Sequence, residues 1–139
     1  MPDATRIDLS KYRLKKAEAV LETAKCLLND EDYASANNRA YYSIFHAMRA
    51  VIALDGEDYK KHSAVIARFS EKYLKTNKLP REFGKLVSNA SRIRNRSDYQ
   101  DFYICSIDDT RALVAGAEEF LASVTDYLTL AFKEAEDTE

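Results

Sequence analysis

Two stretches of the 139-residue chain gather side chains able to handle protons and phosphates. The first carries Arg39, Tyr42 and His46; the second carries Arg94, Asn95, Arg96, Asp98 and Tyr99. A His, whose ring titrates near ~6.5, can move a proton at neutral pH, and an Arg, always charged, can stabilise charge growing on a phosphate. Arg39 and His46 stand seven apart in a run without Gly or Pro, so on a helix they nearly superpose, with Tyr42 between them. If that face meets the end of a later helix, Arg39, Tyr42, His46, Arg94, Asp98 and Tyr99 make one composite site with a general base and phosphate-binding groups. The same residues also read as a structural latch, in which Asp98 pairs with Arg39 or Arg94 and the tyrosines satisfy a buried network.

Other chemistries find less support. The two cysteines, Cys26 and Cys105, lie far apart, and with only two histidines no metal-ligand spacing exists. No phosphate-binding Gly-rich loop, His-Glu-x-x-His pair, nucleophile elbow or paired-carboxylate pattern occurs, so neither a metal nor a cofactor is expected. His62, beside Lys60 and Lys61, reads as a solvated loop residue or a helix-start contact before it reads as a catalyst. No apolar run approaches the ~20 residues that span a bilayer, and MPDATRIDLS lacks the basic-then-apolar order of a signal peptide. The expectation is a cytoplasmic protein with free thiols and no membrane segment.

The elements that must position these residues follow from apolar spacing. Residues 1–139 are read as one domain, with frayed tails at about 1–8 and 134–139. Leu14, Ala17, Leu21, Ala24 and Leu28 alternate three and four apart, predicting a helix from about Leu9 to Leu28 capped by Asp8 or Ser10. The polar turn Asn29-Asp30-Glu31-Asp32 makes the next helix, Ala34 to Leu54, its antiparallel neighbour. On that central helix Tyr41, Ile44, Phe45, Met48 and Ile52 share the packing side, and Ser43, Ala47, Ala50 and Ala53 permit close approach of another helix. Asp55-Gly56 should end it. Ser63 is placed to cap a third helix bearing Val65, Ile66, Phe69 and Tyr73, and Leu79-Pro80 to begin a fourth bearing Phe83, Leu86, Val87, Ala90 and Ile93. Ser106-Ile107-Asp108-Asp109 has capping-box spacing and opens a fifth, Ile107 to about Ala135. With no period-two run and five Gly and Pro residues in all, the fold class is all-α, an up-and-down antiparallel bundle of about five helices.

The net charge of −2 conceals segregation. Residues 60–96 hold eleven Lys or Arg against two Glu, and residues 97–139 hold eleven acids against two bases. Either the acidic last helix neutralises the basic segment, or that segment is a surface for RNA or an acidic partner.

The string Asn38-Arg39-Ala40-Tyr41-Tyr42-Ser43-Ile44-Phe45-His46-Ala47, then Lys61-His62-Ser63, then Arg94-x-x-Ser97-Asp98-Tyr99, resembles the small stand-alone HEPN domains of prokaryotes over nearly the whole chain. The resemblance implies a helical bundle that homodimerises across the Arg94 region. It also implies a toxin-like or RNA-binding component of a two-gene toxin–antitoxin or defence system, with a small nucleotidyltransferase antitoxin as partner. The activity it implies is metal-independent RNA cleavage; the alternative is a non-catalytic interaction or nucleotide-binding module serving the same partner. The family signature is an Arg, often followed by a polar residue, with a His about four to six residues on. Arg94-Asn95 stands where it begins, but no His follows: Asp98 and Tyr99 occupy that spacing, and their groups titrate near ~3.9 and ~10. On the resemblance, Arg94 with His46 and Arg39 are the catalytic candidates, and Tyr42, Asn95, Asp98, Tyr99 and Arg96 support or bind. Some relatives carry a Tyr that the antitoxin modifies with AMP; Arg96, four residues, Asp101, one residue, Tyr103 is a shifted echo of that pattern, making Tyr103 the modification candidate.

Overall fold

The computed structural model describes residues 2–100 and 104–137. They form five α-helices: α1 (Ala4–Asn29), α2 (Tyr33–Ala53), α3 (His62–Phe69), α4 (Phe83–Tyr99) and α5 (Ile107–Asp137). A π-helical turn, Ser70–Leu74, continues α3. No helix among the described residues is long and apolar enough to cross a membrane.

The α1–α2 hairpin is the most extensive helix pairing among the described residues, and small residues let it pack closely. Ala17, Ala24, Ala40, Ala47 and Ala50 are completely buried, which brings the two backbones close enough for side-chain hydroxyls to cross the gap. Ser10 Oγ donates to the Ala50 carbonyl at 2.7 Å, and Ser43 Oγ donates to the Ala17 carbonyl at 3.0 Å. The turn between the helices places Glu31 at φ 64°, and Asp32 caps α2 by accepting from Ser35 N. At the far end Gly56, at φ 72°, closes α2 as its position after Asp55 implied.

The apolar stripes read from the sequence face one core. Tyr41, Ile44, Phe45, Met48 and Ile52 of α2 meet Val65 and Phe69 of α3, Val87, Ala90 and Ile93 of α4, and Leu113, Val114, Ala117, Phe120, Leu121, Val124 and Leu128 of α5. Helix α5 packs chiefly on α2 and α1 and only lightly on α4. The α4 contact is close where Gly116 lacks a side chain, since a Cβ there would stand 2.6 Å from Leu86 Cδ1.

Four local expectations need correction. Helix α1 starts at Ala4, not Leu9, because Asp3 accepts from Arg6 N at 2.9 Å and Ile7 is buried, so residues 4–8 are helical and not part of a frayed tail. The other tail is also helical as far as Asp137, with Ala135 in the core. Ser63 does not cap α3: Lys61 holds the cap position and makes no side-chain bond there. Pro80 does not start α4, because Phe83 N bonds Pro80 O and Gly84 N bonds Arg81 O, three-residue reaches that make a tight turn before the helix. The Ser106 cap of α5 is present, with Asp109 N donating to Ser106 Oγ at 3.3 Å.

Candidate functional site

Helix α4 brings its last turns against the polar side of α2, and Arg94 is where they meet. Its Nη2 donates to Tyr42 Oη at 2.9 Å. Its Nε lies 3.0 Å from Asp98 Oδ2, an ion pair close in distance although the N–H does not point along it. The guanidinium carbon sits 5.3 Å from the ring centres of both Tyr41 and Tyr42 and 5.6 Å from that of Tyr99. Asn38 completes the knot: its Nδ2 donates to Asp98 Oδ2 at 2.9 Å, and its Oδ1 accepts from Arg39 Nε at 2.9 Å, while the Arg39 guanidinium lies 5.1 Å from the Tyr42 ring centre. Arg39, Tyr42, Arg94, Asp98 and Tyr99 are therefore one cluster, held by the contacts of the latch reading.

His46 takes a different position. Its ring centre is 6.0 Å from that of Tyr42, yet its Nδ1 is buried without a hydrogen-bond partner among the described residues. Burial, followed by the positive charges of Lys16, Arg49, Arg39 and Arg13, lowers its pKa to about 4. Two of those four cations belong to α1, and His46 is not among the residues that line the open cleft beside Arg94.

That cleft, of about 710 Å³, runs between the start of α3 and the outer face of α4. Tyr41, His62, Ser91, Arg92, Arg94 and Arg96 are among its walls, and among the described residues no carboxylate lines it. Of the two placements expected for His62, a solvated loop or a helix start, the structure shows the helix start. As the first residue of α3 it stacks on Phe45 at 4.1 Å between ring centres, and its Nδ1 shares a 2.9 Å hydrogen bond with Tyr41 Oη. Burial raises the Tyr41 pKa to about 12, so the phenol stays neutral. The His62 pKa is lowered by burial, then by Arg94 and Arg49, leaving the ring uncharged at neutral pH. When Nδ1–H donates to the phenol oxygen, Nε2 is a free proton acceptor.

The acids of the last helix divide their attention, and Asp109 at its start lines a small pocket together with Arg92. Glu118 and Glu136 of α5 pair with Lys25 and Lys11 of α1, whereas Arg68 and Lys72 pair with Glu57 and Asp55 of the α2–α3 connection. Tyr103 lies outside the described residues. Among those described, no cluster of three or more His, Cys, Asp or Glu could hold a metal ion.

A family model described as the HEPN domain matches residues 10–127, which is most of the chain and spans the central helix, the cleft and the Arg94 cluster. The chain belongs to the HEPN domain family. A UPF0332 protein of Thermotoga maritima is 32% identical over 113 residues, covering 81% of this chain and 86% of that protein. A Methanocaldococcus jannaschii protein named "Putative toxin MJ0142" is 31% identical over 115 residues, covering 83% and 78% respectively. The crystal structure of TT1696 from Thermus thermophilus superposes with a TM-score of 0.72 over 85% of this chain and 97% of that one; at 18% identity it shows the shared fold.

In this HEPN chain the lysine-flanked His62, which stands within the motif string, supplies the ring that faces Arg94 across the cleft. The signal in the sequence was Lys61-His62-Ser63 itself. What the linear sequence could not supply was the approach of α3 to α2 that turns a loop-edge histidine into a packed, neutral one. Chemically, the arrangement offers three guanidinium groups for phosphate oxygens, the hydroxyls of Ser63, Ser88 and Ser91 as further donors, and one neutral imidazole.

Proposed function

We propose that the chain is the toxin-like component of a two-gene system and that it acts by binding RNA along the basic cleft. The observation that carries the reading is the cleft itself: Arg92, Arg94 and Arg96 converge on one open groove with no lining carboxylate among the described residues, while the acids of α5 at Glu118 and Glu136 pair elsewhere. Anionic backbone is the ligand such a cationic groove favours, and a strand of single-stranded nucleic acid is the polymer that tracks one. Two relatives whose names read "Putative toxin" and the family match support the toxin-like half of the proposal. The homodimer and the small nucleotidyltransferase partner implied by the family resemblance, and the cytoplasmic setting expected from the sequence, belong to the same proposal.

A second reading, metal-independent cleavage, is favoured by one specific observation: neutral His62 and Arg94 share the cleft. In that reading His62 takes the place left empty by the missing signature His, with Arg94 stabilising the phosphate, and His46 has no part in it. Incubating the chain with single-stranded RNA in the presence of a chelator, beside a His62→Ala variant, tests cleavage. Products from the wild type and none from the variant are expected if it cleaves. Retained binding with no products from either assigns the cleft to binding alone.

A further inference from the structure

A second cleft, of about 440 Å³, opens on the other side of His62 and is lined by Phe45, Arg49, Asp58, Tyr59, Lys60 and His62. Its character differs from the arginine groove. Three of its six walls are aromatic, and the Phe45 and His62 rings already lie against each other at 4.1 Å with 32° between their planes. The single acid is not available to repel a phosphate, because Asp58 accepts from Arg13 Nη2 at 2.9 Å and from Arg49 Nη2 at 3.0 Å. The same ion pairs fix the Arg49 guanidinium 6.0 Å from the Phe45 ring centre. Tyr59 presents an accessible ring, 37% exposed, on a backbone anchored by its N–H donating to Asp58 Oδ1.

We infer that this second cleft is a nucleobase pocket, and that one single strand of RNA occupies both clefts. Its phosphates lie in the arginine groove and one unstacked base sits among Tyr59, Phe45 and His62. The inference rests on the RNA reading above and deepens it. Sequence-tolerant recognition of single strands combines a cationic track with aromatic faces on which bases stack, and the two halves of that combination occur here side by side, sharing His62 as their common wall. A duplex, whose bases are already stacked and paired, could not offer one to the pocket without unpairing, so the arrangement selects single strands over double. Lys60, which also lines this cleft, is the cation for the phosphate of the seated nucleotide.

The test uses the full chain and Tyr59→Trp, which introduces the only tryptophan in the sequence and so gives an unshared fluorescence signal. A short oligouridylate should quench that emission on binding, while inorganic polyphosphate of matched charge should bind in the groove without quenching. Tyr59→Ala should weaken oligouridylate binding about tenfold, as expected for loss of one base–aromatic stack, and leave polyphosphate affinity within about twofold. Tyr59→Phe should retain the wild-type affinity. Wild-type binding of the oligouridylate with Tyr59→Ala unchanged would overturn the base pocket while leaving the RNA reading intact. Quenching by free uridine monophosphate at the same concentration as the oligomer would overturn the shared-strand arrangement. No binding of either polymer by the wild type, even at low salt, removes both the pocket and the RNA reading.

Discussion

His46→Gln removes the one imidazole that the fold holds neutral inside the α1–α2 hairpin, and its effect can be worked from the structure. The ring is half-buried with its Nδ1 unpartnered among the described residues, and burial plus the positive charges of Lys16, Arg49, Arg39 and Arg13 bring its pKa from 6.5 to about 4. A depressed folded-state pKa means that the unfolded chain binds the proton first. The native state is thus undisturbed by this group above pH ~6.5, and its stability falls as pH drops from there toward 4. At ~1.4 kcal/mol for each pH unit separating the two values, the native state forfeits about 3 kcal/mol by pH 4, or about 2 if solvent reaches the exposed edge of the ring. His46→Gln cannot be protonated, so its stability should decline less over the same window by about 2–3 kcal/mol. Urea unfolding of both proteins at several pH values between about 7 and 4 measures the difference directly, and an NMR titration of the ring gives its pKa independently. Parallel stability curves, or a ring that titrates near 6.5, would refute the burial argument and make His46 an accessible base again.

Other substitutions probe the remaining contacts. Arg94→Ala removes a hydrogen bond to Tyr42 and one half of an ion pair whose side chains are 16% and 24% exposed, so thermal and chemical unfolding should show a loss of about 1–3 kcal/mol, between surface-pair and buried-pair behaviour. Gly56→Ala should cost about 1–2 kcal/mol by the same measurement, because φ 72° strains an L-residue while the Arg6 guanidinium that its Cβ would meet is free to swing aside. Ser43→Val should cost about 1–3 kcal/mol, since it loses the bond to Ala17 O and adds bulk where α1 and α2 already touch.

Much of the architecture was legible because it rests on local signals. The α1–α2 hairpin follows from three-four apolar spacing joined by a polar turn, and Gly56 and Ser106 mark their boundaries through backbone requirements that short sequence windows display. The early start of α1 was hidden because Asp3 is an unremarkable acid until its carboxylate is seen to cap Arg6 N. Pro80 misled because the same residue suits a tight turn as well as a first helical turn. The π-helical turn at Ser70–Leu74 depends on how Tyr73 and Leu74 reach the core and has no local signature. At the site, helix phase put Arg39 and Tyr42 on one face, while their meeting with the Arg94 stretch depended on how α4 docks on α2 and stood in the sequence only as a condition. The roles of the two histidines were not readable, because they depend on what each ring is packed against: His46 among cations in a hairpin, His62 between two open clefts.

If the arginine groove binds the RNA backbone, binding must depend steeply on salt. Fluorescence anisotropy of a labelled single-stranded RNA should give an affinity that falls linearly on a log–log plot as salt rises, because each neutralised phosphate releases condensed cations. An Arg92→Ala, Arg96→Ala double variant, which spares Arg94 and its Tyr42 and Asp98 contacts, should lower the magnitude of that slope by about 1.4, or about 0.7 for each lost phosphate contact. An unchanged slope in the double variant, or wild-type binding insensitive to salt, would contradict the account.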